Sequence, residues 1–247
     1  MPKFFVPKEN IFENKIKITG EDVAHITRVL RMTKGEKLCL CDGAGNNYDA
    51  VISEIDAKKI ECTIESKEKA GTEANIEVTL FQGIPKGSKM EYIIQKTTEL
   101  GIVRIVPCQM ARSVSKIDAK DSKKKQVRWQ KIAEEAAKQS GRGIIPEVLE
   151  PVGFDEALKM MGESDLAFAP YECEENNSIK TTLLAGKSAK TISFMIGPEG
   201  GYDIAEIEKL KDKNIKTVTL GKRILRTETA GEAVLAMIMY ELGDIND

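Results

Sequence analysis

The alternation of apolar and polar positions changes character about seventy residues into the chain. Before that point the apolar residues come in short runs with a period near two. Lys37 to Cys41, Tyr48 to Ile55 and Ile60 to Ile64 read as strands. Asp42-Gly43-Ala44-Gly45-Asn46-Asn47, between the first two, supplies glycines and asparagines for a hairpin turn with positive φ. Glu21 to Arg31 is the one stretch here with helical spacing, placing Val23, Ile26, Val29 and Leu30 on one side. Several short strands around one helix predict a small β-barrel. Ser66 to Glu73 is polar and without periodicity, so it reads as a linker. The expected division is residues 1–71 and residues 72–247.

Beyond the linker, strands alternate with helices. Ile76 to Phe81 is a strand, followed by Ser88 and Glu91 at capping-box spacing. The helix they open has Met90, Ile93, Ile94, Thr97 and Leu100 on one face and stops at Gly101. Ile102 to Val106 is a strand. Lys123 to Gln139 is a helix with Trp129, Ile132, Ala133 and Ala136 inward. Asp165 to Ala169 and Thr191 to Ile196 are strands. Asp203 and Glu206 again fit a capping box, for a helix to Lys211. Ile215 to Leu220 is a strand and Glu228 to Leu242 the last helix, for which Thr227 or Thr229 can serve as cap. This order predicts an α/β domain with a largely parallel sheet.

Composition narrows the chemistry. Of 247 residues, 41% are hydrophobic and 31% charged, as in an ordinary globular protein. No stretch approaches the roughly 20 apolar residues of a membrane span. Met1-Pro2-Lys3-Phe4-Phe5-Val6 lacks the features of a signal peptide, so the expected compartment is the cytoplasm and no membrane partner is expected. Net charge of −2 argues against a globally basic nucleic-acid binder but leaves room for local basic patches. Cys39, Cys41, Cys62, Cys108 and Cys173 form no C-x-x-C pair and read as small buried hydrophobes. With His25 the only histidine, no metal site is expected.

Two glycine-bearing segments are the most specific feature. Ile196-Gly197-Pro198-Glu199-Gly200-Gly201 follows the strand ending at Met195, and Leu220 to Ala230 follows the next strand. Ligands of open α/β sheets collect outside the carboxyl ends of strands. Two such turns side by side can form one pocket from main-chain N–H and C=O groups. Neither G-x-G-x-x-G nor a Walker lysine pattern is present, which turns the reading away from dinucleotides and P-loop chemistry. Arg223 and Arg226 flank the second turn. Gln82 to Gly87 and Arg112-Ser113 also follow strands, and Gln139-Ser140-Gly141-Arg142 ends a helix. Arg112 and Arg142 read as phosphate contacts. Lys116, Lys120, Lys123 to Lys125, Arg128 and Lys131 form a basic stretch that reads mainly as a solvated face. His25, Arg28 and Arg31 give the one helix of the first region a basic edge, which fits an ordinary surface helix and an RNA backbone contact about equally.

Taken together these residues resemble a known family. Phe4-Phe5-Val6, His25 with Arg28-Val29-Leu30-Arg31, Asp42-Gly43, Gln82-Gly83-Ile84-Pro85-Lys86-Gly87, Gln95 to Gly101, Arg112-Ser113-Val114, Glu134 to Arg142, Gly197 to Gly201 and Leu220 to Ala230 are similar, in order, to RsmE proteins. These are bacterial methyltransferases acting on uridine N3 of 16S ribosomal RNA. One departure is Ala24, where relatives often carry a second histidine beside His25.

The resemblance implies a PUA-like RNA-binding β-barrel over 1–71 and a SPOUT methyltransferase domain over 72–247, with a C-terminal trefoil knot that binds S-adenosylmethionine. It implies a homodimer, and a substrate within the small ribosomal subunit. The cofactor would lie against Pro170, Ile196, Gly197, Pro198, Gly200, Leu220, Gly221, Ile224, Leu225 and Thr229. Arg226 would stabilise charge on the uracil oxygens. Glu228 would act either as base or as a structural carboxylate paired to an arginine. His25, Arg28, Arg31, Arg112 and Arg142 would hold RNA. Two other readings stay open on sequence alone: an inactive RNA-binding module with the same fold, and a SPOUT enzyme acting on transfer RNA.

Overall fold

The computed structural model describes residues 3–115 and 117–245, and Lys116 of the basic stretch lies outside them. The chain divides into two compact units, Met1–Glu73 with Ala137–Ile145, and Ala74–Ala136 with Pro146–Asp247.

The first unit is a five-stranded sheet. Its strands are β1 (Lys3–Phe5), β2 (Lys15–Thr19), β3 (Lys37–Cys41), β4 (Asn46–Ile55) and β5 (Lys59–Lys69). Their order is β1-β3-β4-β5-β2, parallel only at β1–β3. Period-two alternation buries Ile16 and Ile18 from β2 and Leu38 and Leu40 from β3 in one core with Phe4, Ile26, Ile52 and Ile60. The edge strands β1 and β2 do not pair with each other among the described residues, so the small barrel expected here is a curled half-barrel. Gly43 and Gly45 take φ of 67° and 94° in the β3–β4 turn, while Asn46 and Asn47 already belong to β4. The Asp42 carboxylate accepts from the backbone N–H of Ala44 and Asn46, at 2.8 and 3.0 Å, and fixes that turn.

Two expectations fail in this unit. The helix over Glu21 to Arg31 is only one α-helical turn, α1 (Glu21–Ala24), followed by a π-helical turn from His25 to Val29. Val29 and Leu30 face solvent instead of the core. The linker is also shorter than expected, because β5 runs on to Lys69. Glu73, at its end, accepts from the backbone N–H of Gly143 at 2.8 Å and pairs with Arg142 at 2.6 Å.

The second unit is a parallel sheet covered on both faces. In chain order it contains β6 (Glu77–Gly83), α2 (Lys89–Glu99), β7 (Arg104–Gln109), most of α3 (Ala119–Gln139), β8 (Glu147–Val148), β9 (Val152–Gly153), α4 (Phe154–Met161), β10 (Leu166–Pro170), α5 (Ile179–Ala185), β11 (Thr191–Ile196), α6 (Ile204–Asp212), β12 (Lys216–Val218) and α7 (Thr227–Glu241). The order is β12-β10-β11-β6-β7-β8, with β9 also on β7, and every pairing is parallel. Alternate residues go to opposite faces. Leu80, Ile105, Phe168, Ile192 and Phe194 pack with α2, α3, α5 and α7. Phe81, Val106, Ala169 and Met195 pack with α4 and α6. Each fully buried Phe contributes about 1.5–3 kcal/mol over an exposed one. This two-sided burial explains why the central strands read as mostly apolar runs with little alternation.

The Asp203–Glu206 capping box forms as expected, with Asp203 Oδ1 accepting from Ala205 N–H at 3.1 Å and Glu206 Oε2 accepting from Asp203 N–H at 2.9 Å. The Ser88–Glu91 box does not. Ser88 makes no side-chain cap, and Glu91 is drawn instead to Arg128 at 2.7 Å. The last helix starts at Thr227, with Arg226 as an N-cap that makes no side-chain hydrogen bond. Neither threonine caps it.

Candidate active site

All strands of the second sheet run parallel, so the chain leaves β6, β10, β11 and β12 along one edge. The loops after β10, β11 and β12, with Lys89 at the start of α2, line one cavity of about 430 Å³. Its floor is the buried end of β11, Ile196-Gly197-Pro198. One wall is Thr219-Leu220-Gly221 and the turn from Arg223 to Thr227. Pro170-Tyr171-Glu172, from the loop after the neighbouring β10, line the cavity as well. Volume and mixed lining are those of a small-molecule pocket.

A buried hydrogen-bond chain joins the loops. Thr227 Oγ1 donates to the Gly197 carbonyl at 2.7 Å and accepts from Gln82 Nε2 at 2.9 Å. Gln82, at the carboxyl end of β6, thereby ties the start of α7 to the first glycine turn. This accounts for Thr227 failing as a cap, since its hydroxyl is committed inward. Gln82 Oε1 is buried without a hydrogen-bond partner. The next residue, Gly83, has no room for a side chain. A Cβ there would lie 2.6 Å from both Cδ and N of Pro198 and 2.8 Å from Met110 Sδ.

At the rim, Lys89 Nζ lies 3.0 Å from Glu199 Oε1 and 3.3 Å from Glu228 Oε2. Glu228 Oε2 is buried and makes no well-aligned hydrogen bond, so the ammonium is its electrostatic partner. The hydrogen bond to Glu199 above all raises the Lys89 pKa over the usual ammonium value. Burial pushes the Glu199 carboxyl up, but backbone N–H groups and Lys89 outweigh it and hold it below the usual carboxylate range. Arg112 braces the same turn from outside, its Nη1 donating to the Gly200 carbonyl at 3.2 Å.

The wall after β10 is held by Glu174. Its carboxylate accepts from Thr217 Oγ1 at 2.6 Å and from Asn176 and Asn177 N–H, which lowers its pKa to about 2. The group stays ionised at neutral pH and pins the loop carrying Tyr171 and Glu172 to β12. Beneath, buried Tyr202 donates its hydroxyl to the Met195 carbonyl at 2.7 Å and meets the Tyr171 ring edge-on. Cys173 is exposed and Cys39 half-buried, so the expectation of buried cysteines holds only for Cys41, Cys62 and Cys108. Among the described residues no cluster of His, Cys, Asp and Glu is arranged to hold a metal ion, and no helix is long and apolar enough to cross a membrane.

A family model described as an RNA methyltransferase domain matches residues 72–239, and one described as an RNA methyltransferase PUA domain matches 18–65. A Bacillus subtilis protein named ribosomal RNA small subunit methyltransferase E is 38% identical over 98% of this chain and 97% of its own length. The chain belongs to the ribosomal RNA small subunit methyltransferase E family. A Neisseria gonorrhoeae member, crystallised with S-adenosyl methionine, superposes with a TM-score of 0.86 at 32% identity over 99% of both chains. A putative methyltransferase from Legionella pneumophila, in complex with its bound cofactor SAM, gives 0.85 at 30% identity over 99% of both.

Against this family background the residues read from sequence separate into three groups. Pro170, Ile196, Gly197, Pro198, Gly200, Leu220, Gly221, Ile224, Leu225 and Arg226 all line the cavity. Thr229 does not: it is exposed in the first turn of α7, two residues past the true helix start. Glu228 is likewise absent from the lining, and its partner is Lys89 rather than an arginine.

The RNA-contact residues divide too. His25, Arg28 and Arg31 are exposed, and His25 meets Phe4 edge-on at 5.8 Å. Arg112 is half-exposed. Arg142 is corrected: its side chain is 3% exposed and its guanidinium is bound to Glu73, so it braces the first unit and is no phosphate contact. Sequence reasoning missed Lys89, Tyr171, Glu172 and Thr227 as cavity residues. Thr227 was legible as the first hydroxyl after the second turn. The partners of Lys89 lie too far along the chain to leave a local signal.

Proposed function

We propose that this chain methylates N3 of a uridine in the 16S RNA of the small ribosomal subunit, using S-adenosylmethionine. The observation that carries the reading is the convergence of both glycine turns on one cavity. That cavity suits the cofactor on three grounds. Its volume lies within the ligand-pocket range. Gly197, Gly200 and Gly221, which have only main-chain groups to offer, border it. Ile196, Ile224 and Leu225 offer apolar faces for an adenine ring. When bound, S-adenosylmethionine supplies an electrophilic methyl group on a cationic sulfur.

The chain's own residues must prepare the nucleophile. Uracil N3 is a poor one while it keeps its proton, and losing that proton places charge on the ring oxygens. Arg226 is exposed on the cavity lining and stabilises that charge. Glu228 is a structural carboxylate: with Glu199 it fixes Lys89 and so holds the turn carrying Arg226. The C-terminal region is read as a trefoil knot on the family resemblance, and the Gln82–Thr227–Gly197 chain ties the start of α7 to the β11 loop within it.

The first unit, which adds Ala137–Ile145 to the expected amino-terminal stretch, is the PUA-like RNA-binding region, and the second unit is the catalytic domain. Basic His25, Arg28 and Arg31 support the assignment. The chain works as a homodimer in the cytoplasm. Support for the dimer comes from α7, which has no charged residue between Ala233 and Tyr240. A helix apolar all round is normally buried all round. Here Met237 and Tyr240 are 38% and 60% exposed, and Tyr92 of the neighbouring α2 is 46% exposed. Tyr240→Glu is expected to convert a dimer to a monomer in sedimentation velocity. A dimer that survives the change removes this face from the interface.

The function is tested with labelled S-adenosylmethionine, offering purified small subunits, free 16S RNA and transfer RNA as acceptors. Label in small-subunit RNA, mapped to uridine N3, is the expected result. Label in transfer RNA points to the other class of enzyme, and no label in any acceptor to an inactive binding module.

A further inference from the structure

The π-helical turn after α1 has no role in the first unit's core beyond Ile26. Its backbone is unusual twice over. Leu30 N–H reaches back to the His25 carbonyl at 3.0 Å and Met32 N–H to that of Ile26 at 3.0 Å. Arg31 then takes φ of 54°, the left-handed region that side chains with a Cβ avoid. π-turns and strained backbone concentrate at functional sites. The turn is held firmly from beneath. Ile26 is fully buried, Thr27 Oγ1 donates to the Val23 carbonyl at 2.7 Å, and the His25 ring meets Phe4. The result is a fixed tip on which Val29 is 68% and Leu30 37% exposed, between exposed Arg28 and Arg31. Among the described residues neither arginine makes a salt bridge.

Two adjacent apolar side chains held in water between two cations fit a particular ligand. A folded acidic protein surface would satisfy the arginines but leave Val29 and Leu30 in contact with water or charge. Paired RNA presents phosphates and keeps its base faces stacked inside. An unpaired stretch offers both things at once: phosphates on its backbone, and an apolar base face once the base is unstacked. We propose that the His25–Arg31 turn is a wedge for looped RNA, with Val29 and Leu30 covering the face of an unstacked base and Arg28 and Arg31 holding the flanking phosphates. This rests on the reading of the first unit as an RNA binder, and it adds preference for unpaired over paired RNA.

The test uses the full chain and two fluorescent RNA probes of equal length, a hairpin with an unpaired uridine-rich loop and a fully paired duplex. Val29→Ser with Leu30→Ser should weaken hairpin binding about ten-fold, the scale of roughly 50–60 Å² of apolar surface left uncovered, and leave duplex binding unchanged. The slope of affinity against salt should stay the same, because no phosphate contact is removed. Arg28→Gln with Arg31→Gln should weaken both probes and reduce that slope by about 1.4 for single-stranded contacts. Val29→Ser alone, at the more exposed site, should reproduce part of the hairpin effect with an unchanged Tm. Wild-type hairpin binding by both serine variants, with the arginine variant weakened, overturns the wedge and leaves the RNA-binding reading intact. Equal weakening of both probes by the serine variants also overturns it. If all variants bind both probes as wild type, the wedge and the RNA-binding reading fall together. If the serine changes matter only for assembled subunits, the tip meets a ribosomal protein and the proposal is wrong.

Discussion

Arg226→Ala should slow methyl transfer about 100- to 1000-fold and leave the affinity for S-adenosylmethionine within about two-fold of wild type. The rate loss is the scale found when one donor to a developing oxyanion is removed. The affinity should hold because Arg226 is exposed and makes no side-chain cap to α7, so its truncation leaves the helix start and the Thr227–Gly197 bond in place. Single-turnover kinetics with saturating cofactor give the rate, and calorimetry gives the affinity. Parallel losses in both would mean that Arg226 grips the cofactor uniformly and has no special role in the transition state. Arg226→Lys makes the comparison sharper. It keeps the charge but loses the planar fork, and it should recover only a small part of the rate if two uracil oxygens or one oxygen and a phosphate are held together.

Gly83→Ala should weaken S-adenosylmethionine binding ten-fold or more, although Gly83 does not touch the cavity. Its added methyl would overlap the Pro198 ring and backbone nitrogen at 2.6 Å, and proline has no rotamer with which to move aside. The glycine turn bearing Gly197 and Gly200 must then shift outward, changing the pocket floor. Overpacking of this kind costs roughly 1–3 kcal/mol, which lowers Tm by about 2–12 °C in a domain of this size. Gly153→Ala is the control, since a Cβ there meets nothing within 4 Å and its backbone needs no positive φ. Calorimetry on the two variants decides the matter: wild-type affinity in Gly83→Ala would show that the floor tolerates displacement and is not what grips the cofactor.

Much of this is legible in the sequence, for definite reasons. Thr191 to Ile196 is recognisable as a strand because both its faces are buried, leaving a run of apolar residues that only Ser193 interrupts. The Asp203–Glu206 cap is recognisable because both partners lie within one turn. The glycine turns stand out because they follow such strands directly. What was misread depended on residues far apart in the chain. Arg142 looked like a surface cation because its partner, Glu73, sits 69 positions earlier in a stretch with no periodicity. Thr229 looked like a cap because nothing local reveals that the Thr227 hydroxyl is spoken for by Gly197, 30 residues back. Val29 and Leu30 fit a helical period that the π-turn breaks. Strands of two or three residues, such as β8, β9 and β1, carry too few positions for any period to register.

The membership of Ala137–Ile145 in the first unit has a consequence for how the protein is made. A ribosome releases the five strands well before it releases the segment whose Arg142 and Gly143 engage Glu73. The delay spans roughly 70 residues, or about 4–14 s at ordinary rates of synthesis. During that interval the nascent sheet has a carboxylate without its guanidinium, and much of the second unit's first half has emerged. Completion of the amino-terminal fold therefore waits on translation of the catalytic half, and the two regions of the chain mature on one clock.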